Sequence, residues 1–151
     1  SQSTGPVAFA GCLMSAQWIP AGLRAEVRSR ARGCCEYCGV HEDDVGAPHE
    51  ADHIVAEQHG GQTTTENLAY ACYHCNRYKG TNLASIDPES GQPVFLFQPR
   101  RDTWASHFQI DGALILGLTA IGRTTSALLK FNAPERLESR RLLILAQRYP
   151  C

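Results

Sequence analysis

Leu23 and Val27 stand four residues apart in PAGLRAEVRSRAR, arginines occupy the other faces, and Pro20 sits where a helix can start. The spacing predicts an amphipathic helix over residues 20–32, which Gly33 stops. The apolar groups that follow are shorter. ADHIVAE (51–57) reads as a short strand and NLAYA (67–71) as its antiparallel partner, across a Gly- and Thr-rich loop. A helix is expected from Tyr73 to Lys79, closing near Gly80. Beyond Thr81 the pattern changes. Turn residues fill 87–93, VFLF (94–97) is strand-like, TWASHF (103–108) suggests a helical turn and GALILGLT (112–119) a strand. IGRTTSALLKFN (121–132) and PERLESRRLLILAQR (134–148) then read as helices, the second with Pro134 in its first turn. No linker-like stretch separates this block. The expected organisation is an N-terminal tail (1–19), a core (20–81) and a C-terminal α/β extension (82–151) packed on the core, in an α+β fold.

With 151 residues, 43% of them hydrophobic, the chain suits one compact domain with its own core. The net charge of −1 argues against a strongly basic nucleic-acid coat protein. The charges are segregated, however. Arg24, Arg28, Arg30 and Arg32 crowd one segment, more arginines fill the C-terminal half, and acids cluster between Glu42 and Glu57. No apolar run approaches the length of a membrane helix, so no membrane association is expected. AFAGC, ending at Cys12, lacks the basic segment and long apolar core of a lipoprotein signal. Met14 is the only methionine; residues 1–13 read either as an added segment or as a natural extension.

The cysteines carry the chemistry. Cys35/Cys38 and Cys72/Cys75 form two Cys-x-x-Cys knuckles, each presenting two thiolates on one tight turn. Paired knuckles at this separation read as a closed tetrahedral site for structural Zn2+. Three further cysteines, Cys12, Cys34 and Cys151, are an odd number with no evident pairing, and Cys34 reads as a bystander. Zinc thiolates fit a reducing compartment, so a cytoplasmic location is expected.

Zinc accounts for the cysteines but not for what lies between them. The segment CEYC…HEADHI…GGQTTTENLAYACYHCNRYKG, within residues 31–81, resembles the HNH endonucleases of the ββα-metal, or His-Me finger, superfamily. Strand, loop, strand, helix is the order that this resemblance implies. It also implies a metal-dependent hydrolysis of DNA, leaving 5′-phosphate and 3′-hydroxyl ends, with His53 as general base. Asp52 and Asn76 would hold the catalytic metal, and Asn67 would accept the second imidazole N–H of His53. Arg77 and Lys79 would contact phosphates. Many relatives carry histidine where this chain has Asn76; the same substitution occurs in zinc-bearing phage enzymes that resolve branched DNA. Two hard oxygen donors favour Mg2+ or Mn2+.

Adjacent strand residues point to opposite faces, so Asp52 and His53 share a site only at an irregular strand end. His41, His49, His59, His74 and His107 read as exposed bystanders, His49 least firmly because it is close to Asp52. A non-catalytic zinc-stabilised DNA-binding module, or an RNA-directed nuclease on the same fold, remains open at this point. A homodimer would be needed for concerted double-strand breaks.

Overall fold

The computed structural model describes residues 18–151. Cys12, Met14 and most of the N-terminal tail fall outside them. The elements run α1 (Ala21–Ala31), β1 (Glu50–His53), β2 (Leu68–Ala71), α2 (Tyr73–Lys79), β3 (Ala84–Ile86), β4 (Pro93–Phe95), α3 (Trp104–His107), β5 (Phe108–Asp111), β6 (Leu114–Gly117), α4 (Ala120–Leu128) and α5 (Pro134–Leu145). The strands form three two-stranded antiparallel sheets, β1–β2, β3–β4 and β5–β6. The expected mixed α+β architecture is therefore present, with the strand–loop–strand–helix order at β1–β2–α2. Among the described residues no helix is long and apolar enough to cross a membrane.

Helix α1 buries a single side chain, Val27, which packs with Ile19, Leu68 and Tyr70 in a small cluster. Burial of one such side chain contributes about 1.5–3 kcal/mol. The helix ends with Arg32 left-handed at φ 55° and Gly33 at φ 74°. Gly33 has no substitute here, because a Cβ would meet His41 Nε2 at 2.7 Å.

Strand β2 is buried on both faces and divides its residues between two clusters. Leu68 and Tyr70 face α1. Ala69 and Ala71 face the main core, which joins Cys35, Cys38, Cys72 and Cys75 to Phe97, Phe108, Ile115, Leu129 and Phe131. The aromatic side of that core belongs to the C-terminal block: Phe108 stands 5.4 Å from Phe97, 5.0 Å from Trp104 and 5.6 Å from Phe131, centroid to centroid. Offset or edge-on ring pairs add about 0.5–1.5 kcal/mol each beyond their area. The C-terminal block thus supplies a wall of the knuckle core.

Several expectations change. β1 stops at His53 rather than running through residues 54–57. Ile54 N–H still donates in register to Asn67 O, but Val55 N–H is taken by the Asn67 side chain, and there the backbone leaves the ladder. Strands β3 and β5 were not expected; at three and four residues they carry almost no periodic signal. Cys34 is not an unpaired bystander, since it forms a disulfide with Cys151 across 117 residues. His49 is not exposed either. It is 5% accessible, its Nε2 lies 2.9 Å from Val40 O, and its ring packs against Tyr70.

Candidate metal centre and candidate active site

The two knuckles meet as their spacing predicts. One ligand atom from each of Cys35, Cys38, Cys72 and Cys75 lies within 4.8 Å of the others, and all four residues are buried. The loops are built alike: Cys38 N–H donates to Cys35 Sγ, and Cys75 N–H to Cys72 Sγ, each at 3.5 Å. Cys72 also caps α2, so the second knuckle and the helix start are one feature. Hydrogen bonds among the sulfurs hold Cys38 and Cys72 below the usual thiol range, while burial pushes Cys35 and Cys75 up. Four soft, converging donors with no open position fit a structural zinc ion.

The other expected site residues lie on β1, on α2 and in the loop joining β1 to β2. In the β1–β2 register Asp52 faces Ala69 and His53 faces Leu68. His53 is the last residue of β1, and Lys79 links the Asp52 carboxylate to the His53 main chain. Its Nζ donates to Asp52 Oδ2 and to His53 O, each at 2.9 Å. Lys79 is only 3% exposed. This corrects the expectation of a phosphate-contacting surface lysine: the chain folds this cation inward to pair with Asp52. Burial pushes the Asp52 carboxyl up, and the neighbouring ammonium opposes that shift. Burial also pushes the His53 imidazole down, with the charge of Asp52 opposing, which favours the neutral ring.

The partner of His53 is not Asn67. His53 Nε2 lies 2.9 Å from Thr63 Oγ1. Asn67 instead fastens the loop, accepting from Val55 N–H at 2.9 Å and donating to Val55 O at 2.9 Å and Gln62 O at 2.8 Å. Gly61 fits under this clasp only because it has no side chain: a Cβ would come within 1.7 Å of Val55 O. Asn67 therefore bears on His53 through the loop that presents Thr63.

Asn76 Nδ2 donates to Glu50 Oε2 at 2.8 Å. Glu50 precedes Asp52 by two residues on β1, and this spacing puts both carboxylates on one strand face, toward α2. Neither Asp52 Oδ1 nor Asn76 Oδ1 has a hydrogen-bond partner among the described residues, and both are hard donors suited to Mg2+ or Mn2+. Arg77 is exposed, its Nη1 3.1 Å from Tyr73 Oη, and the guanidinium lies over that ring at 5.9 Å. Glu50 and Thr63 were missed in the sequence. The i−2 position of Glu50 was a usable signal; Thr63, in a run of three threonines, offered none.

Comparison with known proteins agrees with this geometry. Residues 35–82 match the family model described as HNH endonuclease. Both knuckles and every candidate residue from Glu50 to Lys79 lie inside the match, so the resemblance seen in the sequence is borne out for this segment. At family level, the segment supports a nuclease-type function acting on nucleic acid. The chain is also 27% identical over 129 residues to the Septu protein PtuB of Bacillus thuringiensis, covering 84% of this chain and 48% of that protein. The chain thus spans about half the length of this relative. No solved structure matches.

Proposed function

We propose that the chain is a metal-dependent endonuclease that hydrolyses DNA phosphodiesters, with His53 as general base. The observation that carries this reading is the placement of His53, with Nε2 held 2.9 Å from Thr63 Oγ1 beside the Asp52 and Asn76 oxygens. Partial burial lowers the imidazole pKa and so favours its neutral form, and Thr63 Oγ1 anchors Nε2. With Nε2–H donating to that hydroxyl, Nδ1 keeps a lone pair that can take a proton from water. Asn67 keeps the loop closed behind Thr63, so the ring does not swing away from the nucleophile.

Asp52 Oδ1 and Asn76 Oδ1 would hold Mg2+ or Mn2+, which supplies electrostatic relief for charge developing on the phosphate. Glu50 accepts the Asn76 amide N–H and so turns Oδ1 outward as the free donor. Lys79 fixes the rotamer of Asp52 and balances its charge when no cation is bound. Arg77, exposed next to Asn76, is the phosphate contact on α2. Water attack on phosphorus then leaves 5′-phosphate and 3′-hydroxyl ends. An isolated site of this kind nicks one strand.

The test is cleavage of end-labelled duplex DNA by zinc-loaded protein with no added metal, with Mg2+ and with Mn2+, and with matched RNA as competitor. The expected result is metal-dependent cleavage of the DNA, with ends that a ligase rejoins. Stoichiometric zinc and tight DNA binding without cleavage under any metal would favour a binding module instead. Preferential loss of the RNA would move the assignment to an RNA-directed nuclease.

A further inference from the structure

Arg136 lies on α5, outside the segment that matches the nuclease family, yet it reaches the cysteine centre. It is 6% exposed. Its Nη2 stands 3.3 Å from Cys75 Sγ and 4.0 Å from Cys72 Sγ. Nη1 is held by Leu129 O at 2.6 Å and Lys130 O at 3.2 Å, and the guanidinium lies 5.7 Å from the centroid of Phe131. Among the described residues it forms no ion pair with any carboxylate. A buried cation without a counter-anion is strongly destabilising. The anions within its reach are the sulfurs.

We infer that Arg136 is the built-in countercharge of the zinc centre, a buried guanidinium that hydrogen-bonds the Cys72–Cys75 knuckle and retains the metal. Four neutral thiols, or two disulfides, would leave Arg136 uncompensated. Four thiolates around a divalent ion carry a residual double negative charge, which a guanidinium offsets. An N–H donated to sulfur also draws density from it and makes the thiolate a poorer nucleophile, a second layer of control around the primary ligands. That layer has something to guard against, because a cavity of about 340 Å³ borders Cys38, Cys72 and Arg136 itself.

Arg140 supplies an internal contrast. It lies one turn further along α5 and is 4% exposed, but it donates to oxygens alone: Ala113 O at 2.6 Å, Phe131 O at 2.5 Å and Asn132 Oδ1 at 3.0 Å. Buried arginine on α5 is therefore not one motif but two. Arg140 ties loops together; Arg136 neutralises a metal site. The C-terminal block then belongs to the zinc centre and is more than a lid over it.

The experiment measures zinc transfer from the full, zinc-loaded chain to an excess of chromophoric chelator, with circular dichroism of the same samples. Arg136→Met is expected to release zinc roughly 10- to 100-fold faster than wild type while keeping its folded spectrum. Arg136→Lys, which keeps the charge but loses the forked donor, should fall between the two. Arg140→Met should lower the thermal midpoint yet release zinc from folded protein at the wild-type rate. A folded Arg136→Met with wild-type release overturns the inference, and so does equal acceleration by Arg136→Met and Arg140→Met. If Arg136→Met gives no folded protein, Arg136→Lys decides, and release at the wild-type rate overturns the inference.

Discussion

Cys75 and Asn76 are neighbours on α2, yet they belong to centres built on opposite plans. The cysteine centre is closed: its sulfurs converge within 4.8 Å, all its residues are buried, and a buried arginine backs it. The centre around Asp52, His53 and Asn76 is open. Its aspartate is tied to a lysine, its histidine to a threonine, and its amide to a glutamate, which leaves one oxygen on Asp52 and one on Asn76 without a partner among the described residues. A closed shell has nothing to offer a substrate and serves the fold. An open shell is stable only if neighbouring side chains hold its members in place, and Lys79, Thr63 and Glu50 do that here. One short helix thus serves both purposes, its N-terminal cysteines anchoring it so that Asn76 and Lys79 are presented on β1.

That division can be broken at either end, and the largest effect should come from the closed centre. Removing zinc, or replacing Cys72 with Ser, should abolish cooperative unfolding of the whole described chain. Structural zinc sites are worth about 10–16 kcal/mol in small domains, and here the sulfurs lie in the same core as Phe97, Phe108 and Phe131. Far-UV circular dichroism with and without metal checks this; a C-terminal block that still melts cooperatively without zinc would contradict it.

The buried pair of the open centre comes next. Lys79→Met strands the Asp52 carboxylate and should cost about 3–5 kcal/mol in denaturant unfolding. Arg77→Ala, at the exposed neighbour, should leave stability within the error while weakening DNA binding. Equal stability losses for the two would show that Lys79 is not the internal member that its burial indicates. Cys34→Ser should follow, at about 2–5 kcal/mol in oxidised protein and near zero in reductant, because its bridge closes a loop of 117 residues.

The smallest effects sharpen the open centre alone. Thr63→Val removes the anchor of His53 Nε2 and should cost about 1 kcal/mol in stability, with a larger loss in cleavage rate. Acidity gives the sign of the histidine's part. Its folded-state pKa lies below the unfolded value near 6.5, so the unfolded chain binds more protons on acidification. Stability from this group is complete at higher pH and falls as pH drops through about 6.5, whereas cleavage, needing the neutral ring, should hold to a lower pH. A cleavage profile that rises toward acid would contradict a neutral base.

Local pattern made much of this legible. Knuckle spacing picked out the four cysteines that converge as a candidate zinc site, and four-residue spacing with Pro20 and Gly33 bounded α1. What escaped was every relation that depends on chain meeting chain. Lys79 shares a helix face with Asn76, but only the strand packed beneath α2 turns that face inward and makes a surface cation a buried one. Thr63 is indistinguishable from its neighbours until Asn67 folds the loop back on Val55. Cys34 with Cys151, and Arg136 with Cys75, meet across 117 and 61 residues, where no periodicity reaches.

The proposed division of labour leaves the fold to the closed centre and the chemistry to the open one. It is tested most directly by measuring plasmid nicking and zinc content on the same preparations of wild-type and His53→Ala protein in Mg2+. Stoichiometric zinc and wild-type unfolding are expected in both, with nicking by His53→Ala reduced by about 10²–10⁴-fold. Nicking at the wild-type rate by zinc-replete His53→Ala would contradict it.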